Sequence, residues 1–297
     1  MKNTTSAPVV VGVDGSAESL AAVSLAAAEA ALRDAPLRVV HARVSGATAD
    51  AETLVPHDVS ATMAAALRTA LDARPGLEIT TEIIDASAST VLLDESDKSA
   101  VLVIGSRGAG GVSQLLLGSV ALDVVTRAHR PVMMARGTEP ATDAPVVVGV
   151  SGAPTGRDAI GYAFTEAEAR GVPLHAVHAF NYPYTRDASQ ISEREHERAN
   201  RLLANWVGEW RDRYPTVAVH LFSVHALDPV AALLDFSSSA SMLVLGSRHR
   251  GKLRTRLLGS TGYTLMRTSQ CPLAIVHKEQ QSGQPQHFVS TLERAKV

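Results

Sequence analysis

Glycines in the first half of the chain have a spacing that suits phosphate binding. The stretch GSRGAGGVSQLLLGS begins at Gly105, includes Gly108 and ends at Gly118 and Ser119. Glycine lets backbone N–H groups approach a ligand closely. The pair Gly118-Ser119 also opens a predicted helix, whose unpaired N–H groups and dipole favour an anion. We therefore expect a phosphate to bind here.

A carboxylate follows the first apolar run of the chain. Residues Val9–Val13 form a short β-branched run that predicts a strand, and Asp14, Gly15 and Ser16 come directly after it. Ser16 is predicted to cap a following helix. Asp14 is an acceptor suited to a hydroxyl or amino group of a nucleoside, which together with a phosphate would make a nucleotide. The alternative is that Asp14 only helps to cap the helix that begins near Ser16.

A second stretch, GSRHRGKL from Gly246 to Leu253, is one residue short of a P-loop. The G-x-x-x-x-G-K pattern is complete, but Leu253 stands where the hydroxyl that binds Mg²⁺ is expected. A P-loop joins a strand directly to the next helix, whereas the next predicted helix here begins only near Ser260. We therefore treat the match as a coincidence. The cationic run from Arg248 to Arg256 either binds an anion or is a solvated surface.

The chain is a tandem duplication. PVVVGV occurs at Pro8–Val13 and returns at Pro145–Val150, 137 residues later, and the GSR at Gly105 returns 141 residues later at Gly246. So long a period indicates two whole domains. We predict a first domain over residues 1–137, a second over residues 145–278 and a polar, flexible tail over residues 279–297.

Each half alternates predicted strands and helices. The strands are continuous apolar runs, such as residues 100–104, which predicts burial on both faces. This pattern is typical of a parallel sheet covered by helices, so we expect an α/β fold with two doubly wound domains. In such sheets ligands bind at the carboxyl ends of strands where the strand order reverses. Asp14 and the loop after Gly105 both follow predicted strands and are expected to meet at such an edge.

The composition is that of an ordinary soluble globular protein. Hydrophobic residues make up 45% of the 297 residues, charged residues make up 20%, and the net charge is −2. This balance predicts no binding to nucleic acid or to a membrane. The single cysteine, Cys271, excludes an intrachain disulfide framework, and the histidines lack the spacing of a metal site. With no apolar segment of signal-peptide length after Met1, we expect a cytoplasmic protein.

The motif G-x2-G-x9-G-[ST], together with an aspartate after the first strand, resembles the universal stress protein family. Gly105, Gly108, Gly118 and Ser119 meet the motif, and Asp14 is the aspartate. The resemblance extends over nearly the whole chain, and the duplication resembles the tandem form common in actinobacteria. It implies a five-stranded parallel sheet of order 3-2-1-4-5 in each half, a fold of the nucleotide-α-hydrolase type.

The resemblance also implies an ATP site in the first half. In the family the aspartate contacts the nucleoside, the glycines wrap the phosphates, and the final Ser or Thr donates to a phosphate oxygen. Mg²⁺ would reach the site only through the phosphates. The cofactor-binding residues expected on this basis are Asp14, Gly15, Ser16, Gly105, Arg107, Gly108, Gly118, Ser119 and Val120. For Arg107, a contact with phosphate and a position on the open surface are both left open.

The second half keeps only part of the motif. The residues equivalent to Gly105, Gly118 and Ser119 are Gly246, Gly259 and Ser260. Ser151, however, replaces Asp14, and His249 and Lys252 replace two glycines of the loop. We expect tight ATP binding in the first half and weak or absent binding in the second.

Two classes of function fit these residues. The first is an ATP-binding stress or signalling regulator with little or no turnover. The second is a slow ATP hydrolase or an adenylate-transferring enzyme of a related fold. The first is favoured because no catalytic base is evident beyond Asp14. A scaffold without a ligand suits the second half better than the first.

The two halves are expected to pack as an intrachain pseudo-dimer. The segment from Gly137 to Ala144 is a short linker, and the last predicted strands, after Pro131 and Pro272, would otherwise leave apolar edges exposed. The family resemblance implies that these strands pair across a two-fold axis. The sequence leaves open whether two chains then form a homodimer and which downstream protein they meet.

Overall fold

The computed structural model describes residues 6–43, 58–108, 117–137, 141, 143–152, 154–181, 188–247 and 259–277. The predicted flexible tail, residues 279–297, lies outside this part of the chain. So do residues 109–116 of the first glycine-rich loop and residues 248–258, which include His249 and Lys252.

Strands and helices alternate through both halves. The first half contains β1 (Val9–Gly12), α1 (Ala17–Leu32), β2 (Leu37–Arg43), α2 (Val59–Ala73), β3 (Ile79–Asp85), α3 (Ala88–Asp97), β4 (Val101–Gly105), α4 (Ser119–Arg127) and β5 (Val132–Ala135). The second half contains β6 (Val146–Gly149), α5 (Pro154–Arg170), β7 (Leu174–Phe180), α6 (Ala188–Arg213), β8 (Val219–His225), α7 (Pro229–Ser237), β9 (Met242–Gly246), α8 (Ser260–Thr268) and β10 (Leu273–Val276).

The ten strands form one sheet in the order β3-β2-β1-β4-β5-β10-β9-β6-β7-β8. Within each half, all neighbouring strands pair in parallel. Each half therefore has the order 3-2-1-4-5, which confirms the predicted fold. Val9, Val10 and Val11 of β1 have no exposed surface, as expected for a strand covered on both faces.

Helices cover the sheet in two layers. Val23 of α1 and Phe164 of α5 are buried on one face, together with residues of α2 and α6. Val124 of α4 and Leu265 of α8 are buried on the other face, together with residues of α3 and α7. Because strand side chains alternate in direction, each strand contributes to both layers.

The two halves are joined by antiparallel pairing of β5 with β10, in which Met133 lies opposite Ala274. This pairing covers the last strand of each half, as the family resemblance implies. Gly137, after β5, has a φ of +70°, and a Cβ atom there would collide with the backbone oxygen of Gln270. The linker therefore leaves the sheet in close contact with the second half. Because β5 and β10 pair antiparallel, the strands of the two halves run in opposite directions. Their carboxyl ends therefore lie at opposite ends of the strands of the shared sheet.

Four charged residues form a buried ring between α1 and α5. Glu29 and Arg33 lie one turn apart on α1, and Glu166 and Arg170 lie one turn apart on α5. Each arginine pairs with both glutamates. The side chains of Glu29 and Glu166 are only 4% and 3% exposed. The residues of α5 follow those of α1 by 137 positions, so the ring straddles the pseudo-two-fold axis of the duplication.

The arginines decide the ionisation of this ring. Burial by itself would raise the pKa of Glu166, but the charges of Arg33 and Arg170 outweigh burial and hold this pKa below its ordinary value of 4.5. Burial likewise opposes the charge on Arg33, and the carboxylates of Glu166 and Glu29 keep the pKa of Arg33 raised. Every charge in the ring thus has two partners of opposite sign, which is the condition under which buried ion pairs are tolerated.

Removal of one carboxylate from the ring should strongly destabilise the chain. Glu166→Gln leaves two buried guanidinium groups with Glu29 as their carboxylate partner, and breaking a buried pair costs about 3–5 kcal/mol. We expect that loss in the free energy of unfolding by urea at pH 7. Because the pKa of Glu166 is lower in the folded chain than in the unfolded chain, the advantage of the wild type should be full above about pH 5 and should shrink as the pH falls through the folded value.

A matched control is Glu209→Gln, since Glu209 and its partner Arg157 are both 63% exposed. Exposed pairs typically contribute about 0.2–1 kcal/mol, so the control variant should unfold almost like the wild type. Equal losses in the two variants would contradict the structural role assigned to the ring.

Candidate functional site

The strand order of the first half reverses at β1 and β4. From β1, the sheet continues to β2 and β3 on one side and to β4 and β5 on the other. A cavity of about 330 Å³ opens at the carboxyl ends of these strands. Its volume lies in the range of small-molecule sites, and its position is the one at which doubly wound sheets bind ligands.

Asp14 lines this cavity at the end of β1. Its Oδ1 accepts hydrogen bonds from the backbone N–H and the hydroxyl of Ser16, at 3.0 and 2.6 Å. The Ser16 hydroxyl oxygen in turn accepts from the backbone N–H of Ser19, at 3.1 Å, and so caps α1. Asp14 therefore supports the helix cap and contributes to the cavity wall at the same time.

Gly105, the last residue of β4, and Gly108, in the loop after it, each allow a close approach to another part of the chain. A Cβ atom on Gly105 would lie 2.9 Å from the backbone carbonyl group of Glu18 in α1. A Cβ atom on Gly108 would lie 2.5 Å from Oδ2 of Asp14. Gly105 is thus required for packing of β4 against α1, whereas Gly108 brings the loop backbone against the Asp14 carboxylate.

Gly118 is the N-cap residue of α4, directly before its first residue Ser119. Its N–H donates to the backbone oxygen of Ser106, at 2.9 Å, which closes the loop onto the end of β4. Glycine has no side chain that could cap the first turn of α4, so the N–H groups of that turn can donate to an anion. A Cβ atom on Gly118 would make only ordinary contacts, the nearest at 3.5 Å to Arg107 Cα. Packing of the chain therefore does not by itself require glycine at this position.

Arg107 supplies the positive charge of the cavity wall. Its guanidinium group pairs with Glu18 of α1, which ties the β4 loop to the helix. The Arg107 side chain is 45% exposed, so it lines the cavity and still contacts solvent. The surface position considered from the sequence is thus confirmed, whereas the contact with phosphate stays a prediction.

The walls of the cavity include aliphatic residues that sequence reasoning missed. Val40 and Ala42 come from β2, Leu92 comes from α3, and Ile104 comes from β4. Val40 and Ala42 share one face of their strand because side-chain direction has a period of two. Aliphatic residues are common in any protein core, so their type does not mark them as part of a binding site. For Val40 and Ala42, the signal available in the sequence is their position at the carboxyl end of the strand next to β1. Ser19 of α1 also lines the cavity and was missed.

The structure brings most of the predicted site residues together. Those that line the cavity are Asp14, Gly105, Arg107, Gly108, Gly118, Ser119 and Val120. Within the described part of the chain, Gly15 and Ser16 are not part of the lining. Gly15 has a φ of +86° and packs beside Thr62, and Ser16 caps α1. These two residues shape the turn that presents Asp14.

The equivalent edge of the second half retains the helix start. Gly246 ends β9. Gly259 is the N-cap of α8 and offers no side-chain cap, as Gly118 does for α4, and Ser260 is the first residue of α8. At the end of β6 the exposed Ser151 stands in place of Asp14. Gly152 then packs against the ring of Trp206. This end has therefore lost a carboxylate and acquired an indole ring.

A second difference lies at the ends of the outer strands. In the first half Arg43 of β2 pairs with Asp85 of β3, with Nε and Oδ1 2.7 Å apart. The same place in the ladder of the second half holds Phe180 and His225, whose rings are 5.8 Å apart. The two halves thus share a backbone but present different chemistry at their carboxyl edges.

Within the described ranges, His, Cys, Asp and Glu side chains form no group of three or more that could hold a metal ion. In the same part of the chain, no helix combines the length and the apolar character needed to cross a membrane. The described wall of the first-half cavity consists of backbone, small and aliphatic side chains, two hydroxyls, one carboxylate and one guanidinium group.

Fold and site together define a tandem α/β protein with a crevice at the switch point of its first half. The family model for universal stress proteins matches this chain twice, over residues 6–136 and over residues 144–277. The chain belongs to the universal stress protein family.

Relatives from mycobacteria are similar to this chain over most of its length. A universal stress protein of Mycobacterium tuberculosis is 32% identical over 290 residues, which cover 91% of this chain and 97% of the relative. One from Mycolicibacterium smegmatis is 33% identical over 210 residues, which cover 68% and 69% of the two chains. The crystal structure of a universal stress protein from Archaeoglobus fulgidus has a TM-score of 0.68 at 19% identity, and covers 93% of this chain and 100% of that one. This last similarity supports the fold.

The different roles of the glycines lead to a stability test. Gly105→Ala forces a Cβ atom against the backbone of α1, which cannot move away as a side chain can, and we expect a loss of about 1–3 kcal/mol in the free energy of unfolding. Gly118→Ala meets only ordinary contacts and replaces a helix N-cap, so we expect a loss below about 1 kcal/mol. Urea denaturation of both variants measures the difference. A larger loss for Gly118→Ala than for Gly105→Ala would contradict the described packing.

Proposed function

We propose that the first half binds ATP in this cavity and that the chain acts as a nucleotide-dependent stress or signalling regulator with little or no turnover. One observation carries the proposal: the Asp14 carboxylate and the uncapped, glycine-lined start of α4 border the same cavity at the strand switch point. A nucleotide requires an acceptor for its nucleoside and donors for its phosphates. Membership of the universal stress protein family supports the same ligand.

The nucleoside would occupy the apolar part of the cavity. Val40, Ala42 and Leu92 form a surface suited to a nucleobase. Asp14 would accept a hydrogen bond from a ribose hydroxyl or from an amino group. Its bonds to Ser16 hold the carboxylate in one orientation before a ligand arrives, which reduces the ordering that binding would otherwise require.

The phosphates would lie along the backbone between Gly108 and the first turn of α4. Ser119 begins that helix and lines the cavity, so its hydroxyl would donate to a phosphate oxygen, and Arg107 would add charge. Mg²⁺ would be held through phosphate oxygens, because Asp14 is the one carboxylate on the described wall and it already accepts two hydrogen bonds from Ser16.

The same lining favours binding over hydrolysis. Hydrolysis is assisted by a base that activates water beside the terminal phosphate. On the described wall, Asp14 is the sole carboxylate and no histidine is present, and Asp14 is assigned to the nucleoside. The alternative functions, a slow hydrolase or an adenylate-transferring enzyme, would need a base from another source.

We propose further that residues 1–137 and 145–278 are separate binding units and that the second binds ATP weakly or not at all. Ser151 is neutral and shorter than Asp14, so it cannot make the charge-assisted hydrogen bond that a carboxylate makes. Trp206 packs against the neighbouring Gly152, where the first half has the smaller Thr62. His249 and Lys252, which replace loop glycines, lie outside the described residues.

Calorimetric titration of the wild-type chain with ATP should give about one tight site per chain. Asp14→Ala removes a hydrogen bond to a charged group, worth about 1.5–3 kcal/mol, and should weaken ATP binding roughly 10- to 150-fold. Gly118→Val places a branched side chain beside the first turn of α4 and should also weaken binding, since it fills space assigned to a phosphate.

Ser151→Ala is the matched control, because Ser151 occupies the place of Asp14 in the second half. It should change neither the stoichiometry nor the affinity. Two equal tight sites in the wild type would contradict the asymmetry, and wild-type affinity in both Asp14→Ala and Gly118→Val would contradict the site. Mass spectrometry of bound nucleotide separates the functions: intact ATP after prolonged incubation supports a binder, and conversion over several turnovers supports the hydrolase.

A further inference from the structure

Arg136 is a cation that neither the glycine motif nor the described cavity wall accounts for. It directly follows β5, whose Ala135 is in register with Gly105 of β4. Because neighbouring parallel strands advance together, Arg136 lies beside Ser106 and close to Arg107. It is therefore at the same edge of the sheet as the cavity, one strand further from β1.

The side chain of Arg136 also lies on the same face of the sheet as the cavity. Val132 and Met134 of β5 are buried in the layer that contains α4 and α8, whereas Met133 is buried in the opposite layer. The period of two assigns Arg136 to the layer of Val132 and Met134. Its Nη2 donates to the backbone oxygen of Arg267 near the end of α8, which agrees with that assignment.

The guanidinium group of Arg136 is poorly compensated. Among the described residues its hydrogen bond goes to a backbone carbonyl, and its Nε is buried without a hydrogen-bond partner. Burial lowers the pKa of Arg136, and the charge of nearby Arg107 lowers it further. Glu18 compensates Arg107, but the described ion pairs include none for Arg136. A desolvated cation beside a second cation is unfavourable, and an anion held between the two would relieve it.

We propose that Arg136 and Arg107 together hold the terminal phosphates of a nucleotide in the first-half cavity, so that the site prefers ATP and ADP to AMP. The inference rests on the proposed nucleotide binding and adds a specificity residue to it. The planar guanidinium fork matches two phosphate oxygens at once. The single phosphate of AMP is satisfied at the first turn of α4 and does not extend to Arg136.

The position of Arg136 links this recognition to the other half of the chain. Its Nη2 contacts the end of α8, and the next residue, Gly137, packs against Gln270. A terminal phosphate would therefore be bound by a side chain that also contacts the second half of the chain. The equivalent residue of the second half is His277, 141 positions later, which has no guanidinium fork.

The test is a comparison of three nucleotides in the full chain. ATP, ADP and AMP are titrated calorimetrically into the wild type and into Arg136→Met, which keeps an unbranched apolar stem. The wild type should bind ATP at least about 10-fold more tightly than AMP, since a charge-assisted contact is added. Arg136→Met should weaken ATP and ADP binding on the order of 10- to 100-fold and AMP binding less than about 2-fold.

Arg127→Met is the control for loss of charge alone, since Arg127 pairs with Asp123 on the exposed side of α4. Its ATP affinity should stay within about 2-fold at physiological salt, where distant charges are screened. Arg136→Lys is a second variant in case Arg136→Met does not fold. It keeps the charge without the fork and should lose part of the preference for ATP over AMP.

The outcomes separate the two proposals. A wild type that binds none of the three nucleotides overturns the proposed function and this inference with it. A wild type that binds AMP and ATP equally, or a loss of the same factor for both in Arg136→Met, overturns the role of Arg136 and leaves ATP binding intact. An unchanged ATP-to-AMP ratio in Arg136→Lys together with an unchanged ratio in Arg136→Met also overturns it.

Discussion

The antiparallel pairing of β5 with β10 is the interaction on which the rest of this structure depends. Each of these strands would otherwise be a short apolar edge with unpaired backbone groups, which invites association with other chains. Their pairing makes one ten-stranded sheet from two five-stranded ones. It also brings α1 beside α5, so that the ring of charges can close, and it sets Arg136 against the end of α8.

The charged ring favours one register of α1 against α5. A shift of one helix against the other by one turn would move Glu29 and Arg33 away from their partners on α5. The ring does not tolerate that shift, because Glu29 or Glu166 would then be buried beside fewer than two arginines. A buried charge without its partners costs several kcal/mol. The ring therefore reinforces the offset between the halves that the register of β5 and β10 fixes.

Most of the fold could be predicted from the sequence because buried parallel strands are continuous apolar runs and because the repeat marks the equivalent strands. The exact start of β3 at Ile79 is harder to predict, because the apolar Leu77 already packs on the core from the preceding turn. The ring could not be predicted, because Glu29 and Arg33 have the spacing of any exposed helical pair and are buried only by α5.

The sequence left two roles open for Asp14, because a capping carboxylate and a ligand-binding carboxylate look alike in sequence. Arg136 gave no signal, since its significance comes from a strand pairing and a helix end contributed by the other half.

The covalent union of the two halves has a genetic consequence. In a symmetric dimer of identical chains every substitution appears in both subunits, so a substitution that weakens one crevice weakens the other as well. Here Asp14 and Ser151 occupy equivalent positions but are encoded separately, as are Arg136 and His277. One crevice can therefore be kept under selection while its counterpart drifts or acquires a different ligand, and the shared sheet preserves the geometry of both.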